Sequence, residues 1–213
     1  MLGNKRDSLL DEYEKRGVAI HESGHALLAC LLPNTDPLER VSIIPRGRSL
    51  GATEQLPDEE RYNLSECYLK DRIAVMLGGR VAERLIYGEA SSGAENDLQQ
   101  ATALARRMVS RWGMSGKLGP VSYHREQEHV FRGREIAQPP DFSEDTARLI
   151  DEGVRALVRL LEQKAEQTLR EHRNELETIA HELVEYETLE AAEIRRLLDT
   201  HGMQVTEKRT QTA

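Results

Sequence analysis

Aromatic side chains make up only 4% of this sequence, and its longest uninterrupted apolar run extends only from Ala26 to Leu32. So few aromatic residues weigh against a β-sandwich or barrel, and a run that short cannot cross a bilayer. Cysteine is scarce as well. Cys30 and Cys67 are too few and too far apart for a disulfide framework, which points to a reducing compartment. Positive charge is in deficit: 29 Lys and Arg face 37 Asp and Glu, for a formal net charge of −8. Nucleic acid and anionic membrane surfaces both require a basic face, so neither is an expected partner. No charged-then-apolar leader opens the sequence, so no secretory signal is expected.

Ala, Leu, Glu and Arg fill the long stretches instead, and these are strong helix formers. At 213 residues the chain can bury a sizeable core. The expected fold is mainly α with a small β-sheet, an α+β arrangement. Val18, His21, His25, Leu28 and Leu32 recur at spacings of three and four, which predicts a helix from Asp11 to Leu32. A strand is expected at Val41–Ile44 and a second extended run at Ser49–Leu56. The next helix, capped by Asn63 or Ser65, is expected to break at Gly78-Gly79, with a further helical piece from Arg80 to Ile86. Ser92 and Glu95 have capping-box spacing, and the helix they open presents Leu98, Ala101, Ala105, Met108, Val109 and Trp112 along one face. Residues Ser122 to Asp141 read as a surface loop, and Ser143 to about Asp199 as two or three packed helices. The expected organisation is one domain over 1–203, with a core at about 11–120, a C-terminal helical part at about 143–200 and a disordered tail at 204–213.

The chemistry concentrates in His21-Glu22-Ser23-Gly24-His25. Residues four apart on a helix share a face, so His21 and His25 can direct imidazole nitrogens at one zinc ion. Glu22 stands beside the first of them, where it can act as general base toward a water. The two histidines interrupt an otherwise apolar face, and imidazoles buried there need partners. By contrast, His181-Glu182 is followed by Glu185 where a second His is required, and reads as surface. A catalytic zinc needs a third protein ligand. Leu28 and Leu31 occupy the Gly and His positions of the extended HExxHxxGxxH pattern, so that ligand must come from farther along. Glu66, Asp71, Glu83, Glu95 and Asp97 are all possible; Glu83 and Asp97 are the best two, each an acid on a helix beside small residues. Composition and spacing do not separate them.

Several segments together resemble the peptidase part of the FtsH-type, AAA-linked zinc metalloproteases. They are His21 to Leu27, Ser42 to Gly51, Leu77 to Glu83, Ser92 to Leu98, Trp112 to Ser115 and Leu118 to Pro120, in order and suitably spaced. The resemblance implies a zinc endopeptidase with one zinc per chain held by His21, His25 and Asp97, and Glu22 as catalytic base. It places Glu83 in a supporting role, orienting His21 or His25. It also implies that the Ser49–Leu56 strand docks extended substrate, with Leu50, Gly51, Ala52 and Thr53 as the contact residues. Unfolded polypeptides are the implied substrates and a homo-hexamer the implied assembly. The implied parent protein sits in the bacterial inner membrane with this domain facing the cytoplasm, or in an organelle equivalent. The family uses ATP, but this sequence has no GxxxxGK[ST] loop: Leu118 follows Gly116-Lys117, and position 111 is Arg. Ser23 stands where the family usually has Ala, a small change that leaves the ligands intact. The competing reading is a catalytically inactive ring scaffold that keeps zinc for stability.

Overall fold

The computed structural model describes residues 11–45, 51–56, 63–123 and 142–200. Helix α1 (Glu12–Leu31) starts where the Asp11 carboxylate accepts a hydrogen bond from the Glu14 backbone N–H. Glu12 and Glu14 in its first turn suit the positive end of the helix dipole. Its second half is buried nearly all round, from Glu22 through Ala29, as expected of a helix at the centre of a core.

The chain then forms β1 (Leu38–Ser42) and β2 (Ala52–Gln55), antiparallel with Val41 opposite Thr53 and Ser42 opposite Ala52. Helix α2 (Glu66–Tyr87) follows, capped by the Ser65 hydroxyl and stopped by Gly88 in the left-handed conformation. A short 3-10 turn, Ser92–Ala94, leads into α3 (Glu95–Ser110). Helices α4 (Glu144–Glu171), α5 (Arg173–Tyr186) and α6 (Ala191–Thr200) make up the C-terminal part. Between α5 and α6, β3 (Thr188–Glu190) pairs antiparallel with β1, placing β1 in the middle of a three-stranded sheet in the order β2-β1-β3. The α+β expectation holds. Leu27 and Leu28 of α1, Ile73 of α2, Leu169 of α4 and Ile179 of α5 lie fully buried in the same hydrophobic cluster. No helix among the described residues is long and apolar enough to cross a membrane.

Five expectations need correction. Gly78-Gly79 does not break α2, which runs through both residues because they are the face that meets α1 closely. The sheet gains a third strand from the C-terminal part, one too short to show alternation in sequence. Ser92 does not cap α3; Ser91 instead caps the 3-10 turn, and α3 follows with no side-chain cap bond. Trp112 lies past the end of α3 and is half exposed, with the Arg107 guanidinium 5.6 Å from its ring centroid. Strand β1 also begins and ends earlier than expected. The expected loop at Ser122–Asp141 falls mostly outside the described residues, as do the tail and Leu50.

Candidate metal centre

His21 and His25 lie one turn apart on α1, with their rings edge to face and centroids 4.8 Å apart. Their Nε2 atoms are separated by 3.1 Å. Asp97, in the first turn of α3, brings Oδ2 to 3.2 Å from His21 Nε2 and 3.5 Å from His25 Nε2. The distal nitrogens are committed elsewhere. His21 Nδ1 lies 2.7 Å from Glu83 Oε1, and His25 Nδ1 lies 2.7 Å from the Val75 carbonyl oxygen, both on α2. A carbonyl can only accept, so His25 carries a proton on Nδ1, and this bond turns its Nε2 toward the cluster.

The close packing of α1 on α2 makes this arrangement possible. A Cβ at Gly79 would fall 2.4 Å from His21 Nε2, so the missing side chain is the space the imidazole occupies. One turn farther along α2, Glu83 is held from a second side by the backbone N–H of Ser91 and, at 3.0 Å, by its hydroxyl. The sequence resemblance gave no role to Ser91 or to the Val75 carbonyl. A backbone acceptor leaves no trace in sequence, and one serine among several small polar residues carries no signal of its own.

The charge balance favours a cation. Burial alone would lower the His21 pKa, but the bonds to Asp97 and Glu83 outweigh it and push the ring up to about 9. Burial would raise Asp97, yet the two imidazoles hold its carboxyl well below the usual range. Glu83 is also held low, its burial outweighed by His21 and Ser91. Glu22, a third carboxylate and itself buried, adds to this field. Its Oε2 accepts a 2.7 Å hydrogen bond from the Thr53 hydroxyl.

The three-atom cluster fits zinc. Tetrahedral bonds of about 2.0–2.1 Å put neighbouring ligand atoms about 3.3 Å apart, and the separations here are 3.1, 3.2 and 3.5 Å. Two nitrogens and one carboxylate oxygen are a donor set zinc accepts, and three protein ligands leave a fourth position open. Among the described residues His21, His25 and Asp97 are the group that could hold a metal ion. The other acids weighed from sequence lie elsewhere. Glu66 pairs with Lys70, Glu95 accepts from Gln99, and Asp71 is buried against Asn34 and Lys164. Glu83 reaches the distal side of His21 and not the cluster itself.

These features define a candidate metal centre, two histidines on α1 and a carboxylate on α3, with the Glu22 carboxylate on the residue next to the first histidine. The model of peptidase family M41 matches residues 8–197. An ATP-dependent zinc metalloprotease FtsH from Nitrosococcus oceani is 55% identical over 197 residues, covering 92% of this chain and 31% of the relative. The protein of the same name from Marinobacter nauticus is 48% identical over 199 residues, covering 93% and 31%. FtsH 1 of Rhodopirellula baltica is 50% identical over 198 residues, covering 93% and 30%. This chain belongs to peptidase family M41, and the FtsH-type resemblance read from its motifs holds. It spans about a third of the length of the curated relatives it matches.

Proposed function

We propose that this chain is the zinc-dependent endopeptidase domain of an FtsH-type, ATP-dependent protease and hydrolyses peptide bonds in unfolded polypeptides. The observation that carries the reading is the set of three donor atoms at tetrahedral spacing, with a buried carboxylate on the residue next to the first ligand. His21, His25 and Asp97 are the proposed ligands. A bound zinc supplies Lewis-acid polarisation of the scissile carbonyl and makes a water nucleophilic near neutral pH.

The rest of the work falls to the chain. Glu83 and the Val75 carbonyl fix the two imidazole planes through their distal nitrogens, so both Nε2 lone pairs stay aimed inward. Glu22 accepts the proton of the attacking water and delivers it to the departing amine nitrogen. No acyl-enzyme is needed, and neither Cys30 nor Cys67 has a role. Strand β2 lies at the edge of the sheet. An edge strand can bind an extended polypeptide through main-chain hydrogen bonds, largely irrespective of side chains, which suits broad specificity. Gly51, Ala52 and Thr53 are the proposed contact residues there, together with Leu50. The FtsH likeness extends the proposal to a homo-hexamer, and to a parent protein in the bacterial inner membrane with this domain on the cytoplasmic side.

Glu22→Gln tests the reading. The variant is expected to keep stoichiometric zinc and to lose at least about 100-fold in turnover of an unstructured peptide. Unchanged turnover with zinc bound would remove Glu22 from the chemistry. If the wild type also shows no hydrolysis, and zinc removal only unfolds the protein, the scaffold reading replaces this one.

A further inference from the structure

Glu22 is only 7% exposed, and a carboxylate that deeply placed needs a donor to hold it. The donor comes from a different element. Thr53 on β2 places its hydroxyl 2.7 Å from Glu22 Oε2 and 3.3 Å from the Glu22 backbone oxygen. A threonine hydroxyl has one hydrogen, and the shorter contact takes it. The strand register determines which face Thr53 shows. Its cross-strand partner Val41 is fully buried, whereas the next residue, Glu54, forms a fork-to-fork pair with Arg40 at 2.9 and 3.0 Å. Alternation therefore turns Thr53 toward α1 while Arg40 and Glu54 brace the opposite face of the same two strands. β-Branching stiffens the hydroxyl's direction further.

Gly51 lies against the other carboxylate oxygen. A Cβ there would fall 2.6 Å from Glu22 Oε1 and 2.8 Å from its Cγ. Gly51 is not in the left-handed region, so its backbone would accept alanine, and the Glu22 carboxylate is what leaves no room.

We propose that Thr53 is the positioning residue of the general base: its hydroxyl holds Glu22 by Oε2, and Oε1, beside the space Gly51 leaves open, is the oxygen that takes the proton. This rests on the proposed role of Glu22. It also changes the part Thr53 plays in substrate binding: its side chain serves the base, and only its backbone is free to meet a polypeptide. The strand proposed to dock substrate thus also sets the geometry of the base on its inner face.

The test uses the zinc-loaded full chain and an unstructured fluorogenic peptide. Thr53→Val keeps the shape and removes the donor. It is expected to lower kcat by about 10- to 100-fold, the scale of a misplaced catalytic group, with KM, zinc content and melting temperature unchanged. Thr53→Ser restores the hydroxyl and is expected to recover kcat to within about threefold. Gly51→Ala is expected to fold and bind zinc, to lose kcat, and to show the Glu22 carboxylate displaced in a crystal structure. Wild-type kcat in Thr53→Val, a loss confined to KM, or a loss that Ser does not repair would overturn the proposal. Glu22→Gln, assayed in parallel, separates the two failures. An inactive Glu22→Gln beside a fully active Thr53→Val sinks the positioning role alone, whereas an active Glu22→Gln sinks the base itself.

Discussion

Gly24 of α1 meets Gly78 of α2 backbone to backbone: a Cβ on Gly24 would fall 2.4 Å from the Gly78 carbonyl oxygen, and one on Gly78 would fall 2.7 Å from that of Gly24. Neither neighbour is a flexible side-chain end that could swing away. The two helices must therefore separate if either glycine gains a side chain, and the histidines of the candidate metal centre lie on one of them.

Gly24→Ala is accordingly expected to destabilise the fold by about 1–3 kcal/mol despite the better helix propensity of alanine. Gly17, in the same helix, has nothing within 4 Å of a Cβ. Gly17→Ala is expected to stabilise by up to about 1 kcal/mol. Urea unfolding of both variants checks the pair. A Gly24 variant as stable as the wild type would show that the helices part at little cost.

The same contact shows where sequence reading stops. α1 was legible because its evidence is local: a 3.6-residue period, an Asp at its start and two histidines one turn apart. Gly78-Gly79 looked like a break because an isolated helix loses stability at glycine, by about 1 kcal/mol each. What outweighs that loss is a partner helix 54 residues away (Gly24 against Gly78), and no local pattern reveals it. Asp97 and Glu83 could not be ranked by spacing for a similar reason. Both reach His21, one at Nε2 and the other at Nδ1, and only the packed helices decide which nitrogen each meets. Strand β3 left no signal because three residues cannot show alternation.

Gly79 allows stability and metal binding to be separated. Its absent side chain is the space of the His21 ring, with ring atoms 2.4–2.6 Å from where a Cβ would sit. An imidazole can rotate away, unlike a backbone carbonyl, so Gly79→Ala should keep the helices together while turning His21 off the cluster. The expected outcome is a metal-free melting temperature close to wild type together with loss of stoichiometric zinc. Full zinc occupancy in this variant would mean that the ring has more room than the helix contact suggests.

A second polar cluster stands apart from the centre. Asp71 on α2 is 1% exposed and accepts from the Asn34 backbone N–H, the Asn34 side chain and Lys164 Nζ, at 3.1, 2.9 and 2.6 Å. It ties α2 to the loop after α1 and to α4. Asp71→Ala strands two donors of Asn34 and is expected to cost about 2–3 kcal/mol. Lys164→Met should cost less, about 1 kcal/mol, because the lysine side chain is 43% exposed and partly screened by water. Both should retain zinc, since neither residue touches the centre. Equal losses in the two variants would show that the ion pair, and not the Asn34 bonds, dominates the cluster.

Metal affinity should rank the carboxylates around His21. Asp97 Oδ2 sits among the three donor atoms, so Asp97→Ala leaves two imidazoles and is expected to abolish stoichiometric zinc. Glu83 acts through the far side of the ring, holding Nδ1 at 2.7 Å while Ser91 holds Glu83. Glu83→Ala should therefore bind zinc still, about 10- to 100-fold more weakly, as a chelator competition would register. Ser91→Ala, which removes one of the two Ser91 donors to Glu83, should fall between Glu83→Ala and wild type. Elemental analysis of Asp97→Ala and Glu83→Ala settles the order. Zinc lost with Glu83 but kept without Asp97 would make Glu83 the third ligand, and would require the His21 ring to turn over so that Nδ1 faces the metal.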